Sequence, residues 1–425
     1  MLNKRIERAR RAALALLKPS KKDLQHGLRL HASSLVVEAY GLPPRAAPDG
    51  DALKAAAEAG APATELREMM EQMQMTRMVT NARQREEYEE AWQASGVTCM
   101  FTMAGEECQA PLRIMRRLAH YTFAADMSDV VDRAVTPDDI VAAKEKGRHC
   151  FYMTVNGVPL TQNWESVEEE LQYIRIFFEL GARMMHLTYQ RRNMVGDGCG
   201  EASDAGLSDF GRAVVKEMNR VGVIVDVAHS GWRTALEAAQ ASEKPVVASH
   251  SGCAALFPHV RSKPDEVIKA IADTGGYIGI YAMPGFLGLS NDLAAMLDHI
   301  EYAVGKFGSD HVAVGMDVCH TASTYHAELK KMGTLRERTR WRWLWQPGPE
   351  GSPPEYADEA YLSVAWTNWP YITVGLVQRG LPDEDIRKII GGNALRVARE
   401  VFPGGQLVAQ KRRAARPTRA RRAAS

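Results

Sequence analysis

The chain alternates between short, almost wholly apolar runs and longer stretches in which apolar positions recur at helical spacing. Eight apolar runs stand out, at 34–39 (SLVVEA), 96–104 (GVTCMFTMA), 149–155 (HCFYMTV), 182–188 (ARMMHLT), 222–228 (GVIVDVA), 245–249 (PVVAS), 276–281 (GYIGIY) and 311–315 (HVAVG). A strand covered on both faces reads as a continuous apolar run, whereas a half-exposed strand alternates. Most of the runs are separated by helical stretches such as 166–180, 207–221, 232–241 and 265–274. Eight strand–helix units predict a (β/α)8 TIM barrel.

The flanks read differently. Residues 1–33 predict a helical N-terminal extension, and 34–403 the barrel, with a helical insertion at 43–95 and a Trp-rich insertion at 321–365. Met70, Met73, Met75 and Met78 fall inside the helical insertion and read as packing. Residues 404–425 read as a basic, disordered tail, since Lys411, Arg412, Arg413, Arg416, Arg419, Arg421 and Arg422 follow the last acid, Glu400. Without those seven the chain has 46 basic residues against 52 acidic, a net of −6. The body therefore offers no electrostatic case for nucleic acid. Trp341, Trp343 and Trp345, interleaved with arginines, read as a cover over the barrel mouth or a contact between two copies in a homodimer.

The length of 425 residues and the 45% hydrophobic content suit one large domain. Six cysteines without a CxxC pair predict reduced thiols in a cytoplasmic protein. The apolar run 12–17 is shorter than the core of a signal peptide, about 7–15 residues, and no run approaches the roughly 18 of a membrane span. Gly391-Gly392-Asn393 lacks the Lys-Ser/Thr of a phosphate loop and reads as a helix entry.

A barrel's chemistry sits where its strands end. The residues there are Tyr40, Ala104-Gly105, Asn156-Gly157, Tyr189, His229, His250, Met283-Pro284 and Asp317. Two imidazoles on consecutive strand ends, with a carboxylate after the eighth, make a candidate metal set.

From about residue 96 to 402 the sequence resembles the renal (membrane) dipeptidase family, the M19 metallopeptidases. The segments that carry the resemblance are ELGARMMHLT at 179–188, GLSDFGRAVVKEMNRVGVIVDVAHS at 206–230, PVVASHSGCAALFPHVRSKPDEVIKAIADTGGYIGI at 245–280, SDHVAVGMD at 309–317 and PYITVGLVQRGLPDEDIRKIIGGNALRV at 370–397. The resemblance implies a zinc-dependent hydrolase of dipeptides or similar small amides bearing a carboxylate. It puts His229 and His250 at the metal-binding histidines of strands 5 and 6, Arg261 at the substrate-carboxylate site, and Asp317 at the strand-8 acid. Asp317-Val318-Cys319 stands where the family has a D-F-D-type segment, so either Asp317 or Cys319 fills the proton-shuttle position.

The departures are as informative. Tyr40 and Leu42 stand at the family's strand-1 H-x-D pair, Asn156 at its bridging Glu, and Tyr189 at its strand-4 His. His31 and Ser33 offer a rival register for strand 1. Two zinc ions need several charged oxygens around them. The expected site is therefore degenerate, with at most one zinc on His229, His250 and Asp317, or none. Asp317 and Tyr189 are the candidates for moving protons, and Arg261 and Asn156 for binding substrate. The alternative is a non-hydrolytic isomerase or tautomerase, with Tyr189, His229 and His250 as acid and base, or a ligand-binding pseudoenzyme.

Overall fold

The computed structural model describes residues 3–105, 110–163, 165–283, 285–288, 290–333 and 358–404. The arginine- and tryptophan-rich segment at 339–354 and the basic tail lie outside the described residues. Ten strands occur, β1 (Val37–Gly41), β2 (Cys99–Met103), β3 (Val131–Ala134), β4 (His149–Val155), β5 (Met184–His186), β6 (Ile224–Asp226), β7 (Val246–Cys253), β8 (Ser262–Lys263), β9 (Tyr277–Ile280) and β10 (Val312–Val314). Eight of them pair in parallel in the order β1-β2-β4-β5-β6-β7-β9-β10. These are the eight apolar runs of the sequence, and they form a (β/α)8 barrel. The two end strands meet where Asp317 N donates to the Tyr40 carbonyl at 3.4 Å.

β3 and β8 are additions. β3 pairs with the first half of β4 and β8 with the end of β7. Neither has an apolar run (VDRA and SK), so pairing with a longer neighbour makes them strands.

Two shells of apolar packing surround the sheet. Inside the barrel, Phe101, Tyr152, Met184, Ile224, Val247, Tyr277 and Ala313 form a core that continues onto Ala394, Val397, Ala398 and Val401. Those last four belong to the terminal helix Asn393–Val401. Outside, a larger cluster joins the strands to the helices. The helices start where the sequence provides caps: Ser166, Ser208 and Asp292 each accept from backbone N–H groups of the first turn, and Thr136 closes a capping box with Asp139.

Helices Lys4–Leu17 and Lys21–Ser33 precede the barrel, and Gly50–Glu58, Ala63–Thr80 and Ala82–Ser95 lie between β1 and β2. Met75 and Met78 are buried packing groups. His31 sits within the second helix, with Nδ1 2.9 Å from Thr373 Oγ1 and Nε2 2.8 Å from the Ser95 carbonyl. Both its nitrogens are taken up in packing, so the rival strand-1 register is excluded and Tyr40 is the mouth residue of β1. Gly391 lets the backbone approach β1, since a Cβ there would lie 2.2 Å from the Leu35 carbonyl. The Gly-Gly-Asn segment is thus a π-helical turn entering the terminal helix. Among the described residues no helix is long and apolar enough to cross a membrane.

Candidate active site

The mouth at the C-terminal ends of the strands collects every site residue the sequence suggested. Tyr40 on β1 stacks on His250 of β7, with ring centroids 3.8 Å apart, and its hydroxyl donates to Asn156 Oδ1 at 2.7 Å. His229, three residues beyond β6, has its Nε2 2.8 Å from His250 Nε2. Tyr189, beyond β5, stacks on His229 at 4.0 Å. Asp317, beyond β10, brings Oδ2 to 4.0 Å from His250 Nε2. It does so from a left-handed backbone, φ 56°, which a non-glycine residue rarely adopts outside functional or tightly constrained sites.

The path of β7 makes this convergence possible. Its register to β9 shifts between Ala248 and Ser251, a bulge that turns the Ser249 carbonyl toward β9 and β10. Gly279 and Gly315 accommodate it, since a Cβ on either would fall 1.9 or 2.1 Å from that oxygen. Ser249 Oγ lies 2.8 Å from His250 Nδ1 and fixes the ring.

Arg261 differs in placement from what its loop position suggested. Its side chain is buried behind the histidines (1% exposed) instead of standing at the rim. One guanidinium nitrogen donates to the Ala228 carbonyl, and the other to the His250 carbonyl at 3.1 Å and His229 Nε2 at 3.2 Å. The loop from β7 runs back into the barrel wall as β8, which draws the side chain inward. Lys263 follows, fully buried, donating to the Ser230 carbonyl at 2.6 Å.

Burial sets the protonation states. It drives His229 and His250 well below the usual imidazole range, and the Arg261 cation adds to the effect. Both rings are thus neutral near pH 7. Burial pushes Asp317 up to about 7, against the pull of Arg261 and Arg45. Lys263 is lowered to about 8, again by burial.

Two residues that sequence reasoning passed over complete the site. His186 on β5 and Asp226 on β6 face one another inside the barrel, just below the mouth, with Nε2 and Oδ2 2.7 Å apart and both side chains fully buried. The other Asp226 oxygen accepts from Ala228 N at 2.9 Å and Ser249 N at 3.1 Å. A signal was present in the sequence: a lone acid within VIVDVA must face something that compensates its charge.

A parallel barrel with imidazoles and a carboxylate on successive strand ends is the architecture of barrel hydrolases. The comparisons narrow that class. The model for membrane dipeptidases, peptidase family M19, matches residues 55–340, and the chain belongs to this family. Dipeptidase tcpJ of Claviceps purpurea is 29% identical over 279 residues, 64% of this chain and 56% of that protein. The chain thus spans a little over half the length of that relative. Among solved structures, an amidohydrolase from Pseudomonas aeruginosa superposes with a TM-score of 0.64 at 26% identity, covering 88% of this chain and 99% of that one. The probable dipeptidase PvdM from the same organism gives 0.62 at 19% identity, over 90% and 98% of the two chains, a likeness of fold.

The family uses zinc, so the donor set of this chain has to be weighed against it. At the family's strand-1 and bridging positions, Tyr40 and Asn156 satisfy each other through a neutral hydrogen bond, and Leu42 has no donor atom. That set does not suit two divalent ions. One ion does fit. The interior holds ligand-type atoms without a hydrogen-bond partner, namely His186 Nε2 and Asp226 Oδ2. Such atoms cost about 1–3 kcal/mol each when buried unsatisfied.

Proposed function

We propose that this chain hydrolyses a dipeptide or a similar small amide bearing a carboxylate, with a single metal ion at a degenerate site. The observation that carries this is Asp317 beside His250 at 4.0 Å, with a carboxyl pushed up to about 7, at the mouth of an M19 barrel. A carboxyl poised near neutrality can both take and return a proton, as general acid–base chemistry requires.

His250 is the donor common to every ligand arrangement the mouth offers, with His229 and Asp317 beside it. When bound, a divalent ion supplies Lewis-acid polarisation of the carbonyl and a water activated near neutral pH. Asp317 takes the proton from the attacking water and returns it to the leaving amine. Arg261 places a fixed positive charge behind the histidines, against which the substrate carboxylate docks. Asn156 and Tyr40 present a neutral hydrogen-bonding edge to the substrate, and Tyr189 closes the mouth over His229. The uncharged Tyr40–Asn156 pair predicts slow cleavage of ordinary L,L-dipeptides, because nothing holds a second ion to share the attacking oxygen.

The test strips the protein with a chelator, reloads it with zinc and follows free amino groups over a panel of dipeptides and N-acyl amino acids. Zinc-restored hydrolysis of at least one compound is expected, with Asp317→Asn lowering the rate about 10²–10⁴-fold. Failure of the zinc-loaded protein to hydrolyse any of them, while a compound is bound or isomerised, would replace this reading with the non-hydrolytic one.

A further inference from the structure

The rim residues are not the best-placed metal donors of this barrel. His229 Nε2 already faces a guanidinium nitrogen of Arg261 at 3.2 Å. Arginine donates at every nitrogen and accepts at none, so this contact occupies the lone pair that a metal would need. It also sets a permanent positive charge at that position, where a second cation is disfavoured.

One layer down, the situation is reversed. The donor atoms of His186, Asp226 and His250 all lie within 4.8 Å of one another, and all three side chains are fully buried. His186 Nε2 and Asp226 Oδ2 are 2.7 Å apart, yet neither is in hydrogen-bond alignment, and His186 Nδ1 has no hydrogen-bond partner either. Asp226 Oδ1 is pinned by two backbone N–H groups, which aims Oδ2 into the cluster. Ser249 Oγ lies 2.8 Å from His250 Nδ1 and can accept its N–H, which turns the Nε2 lone pair inward. Three oriented ligand atoms in a closed interior, two of them left unsatisfied, are what a missing cation leaves behind.

We infer that the ion of this barrel is a zinc held by His186, Asp226 and His250, inside the barrel and below the rim histidine His229. Two imidazoles and one carboxylate, with a position left open toward the mouth, form a catalytic type of zinc set. The inference rests on the single-ion reading of the site and changes where the ion sits. It explains how the chain can lack charged oxygens at Tyr40, Leu42 and Asn156 and still bind metal, because the carboxylate comes from β6. It also leaves His229 and Asp317 free to contact substrate.

Zinc affinity, measured by competition with a fluorescent chelator, tests this directly. Asp226→Asn retains the Oδ1 acceptor for Ala228 N and Ser249 N, so the fold has what it needs. Asp226→Asn and His186→Gln are each expected to weaken zinc binding at least 100-fold, while His229→Gln and Asp317→Asn change it less than threefold. The reverse pattern would overturn the inference and leave the single-ion hydrolase standing, with the ion at the rim. If the wild type binds no zinc, the inference falls as well, and the hydrolysis panel then decides separately on the function. A second measurement needs no variants: anomalous diffraction from a zinc-soaked crystal of the wild type. A peak about 2.0–2.2 Å from His186 Nε2 and Asp226 Oδ2 is expected, and a peak between His229 and Asp317 would refute the placement.

Discussion

Glu38 is a carboxyl on β1 with no exposure to solvent, placed where the barrel closes. It accepts from the indole N–H of Trp366 at 3.1 Å, from the indole N–H of Trp369 and from the backbone N–H of Met316, next to Asp317. Gly41 leaves it room, since a Cβ there would meet Glu38 Cγ at 2.8 Å. Burial lifts its pKa from 4.5 to about 8, with the three donors opposing. The folded state therefore holds a proton that the unfolded state releases between those two values. Stability is full below about pH 4.5 and falls as pH rises through about 8. The whole interval corresponds to roughly 5 kcal/mol as an upper bound, and the part up to pH 7 to about 3 kcal/mol. Glu38→Gln is isosteric with the neutral acid, retains an acceptor oxygen and cannot ionise. Urea unfolding followed by tryptophan fluorescence at several pH values should show wild type and variant alike near pH 5. By pH 8.5 the variant should be the more stable of the two by a few kcal/mol. A wild type whose stability is flat from pH 5 to 8, with a variant weaker at every pH, would refute the reasoning. It would mean that three N–H donors hold Glu38 ionised despite its burial.

Four further outcomes are expected. Tyr40→Phe removes the 2.7 Å hydrogen bond to buried Asn156 and should cost about 1–2 kcal/mol in denaturant unfolding; no loss would mean that water replaces the hydroxyl. Gly279→Ala drives a Cβ into the Ser249 carbonyl, so a loss of about 1–3 kcal/mol with weakened zinc binding through His250 is expected, and an unchanged melting temperature would contradict it. Arg261→Lys cannot span the Ala228 and His250 carbonyls together; calorimetry should show weaker binding of a carboxylate-bearing dipeptide with the fold retained, and equal affinity would remove Arg261 from the binding site. Asn156→Glu adds a carboxylate facing Tyr40 at the mouth and should tighten zinc binding about tenfold or more in chelator competition, whereas unchanged affinity would place the ion out of its reach.

The sequence by itself determined the barrel, because a strand buried on both faces leaves an uninterrupted apolar run whatever its neighbours are. All eight runs became barrel strands, and the run at 149–155 coincides with β4. It also determined the rim, since His229, His250, Tyr189, Asn156 and Asp317 follow strand runs, and a barrel brings such positions to one end. Tertiary structure decided everything that depends on which way a side chain faces. His186 and Asp226 looked like ordinary members of apolar strands; only the closure of β5 against β6 sets them 2.7 Å apart inside the barrel. Arg261 was expected at the rim, but the turn of its loop into β8 buried it behind the histidines it was meant to accompany. Glu38 became a clamp only because helical residues more than 300 positions away bring two indoles to its carboxyl. Local patterning records how much of a segment is buried, whereas the partner of a buried polar atom is fixed by contacts between strands distant in sequence, and the chemistry of this mouth depends on those contacts.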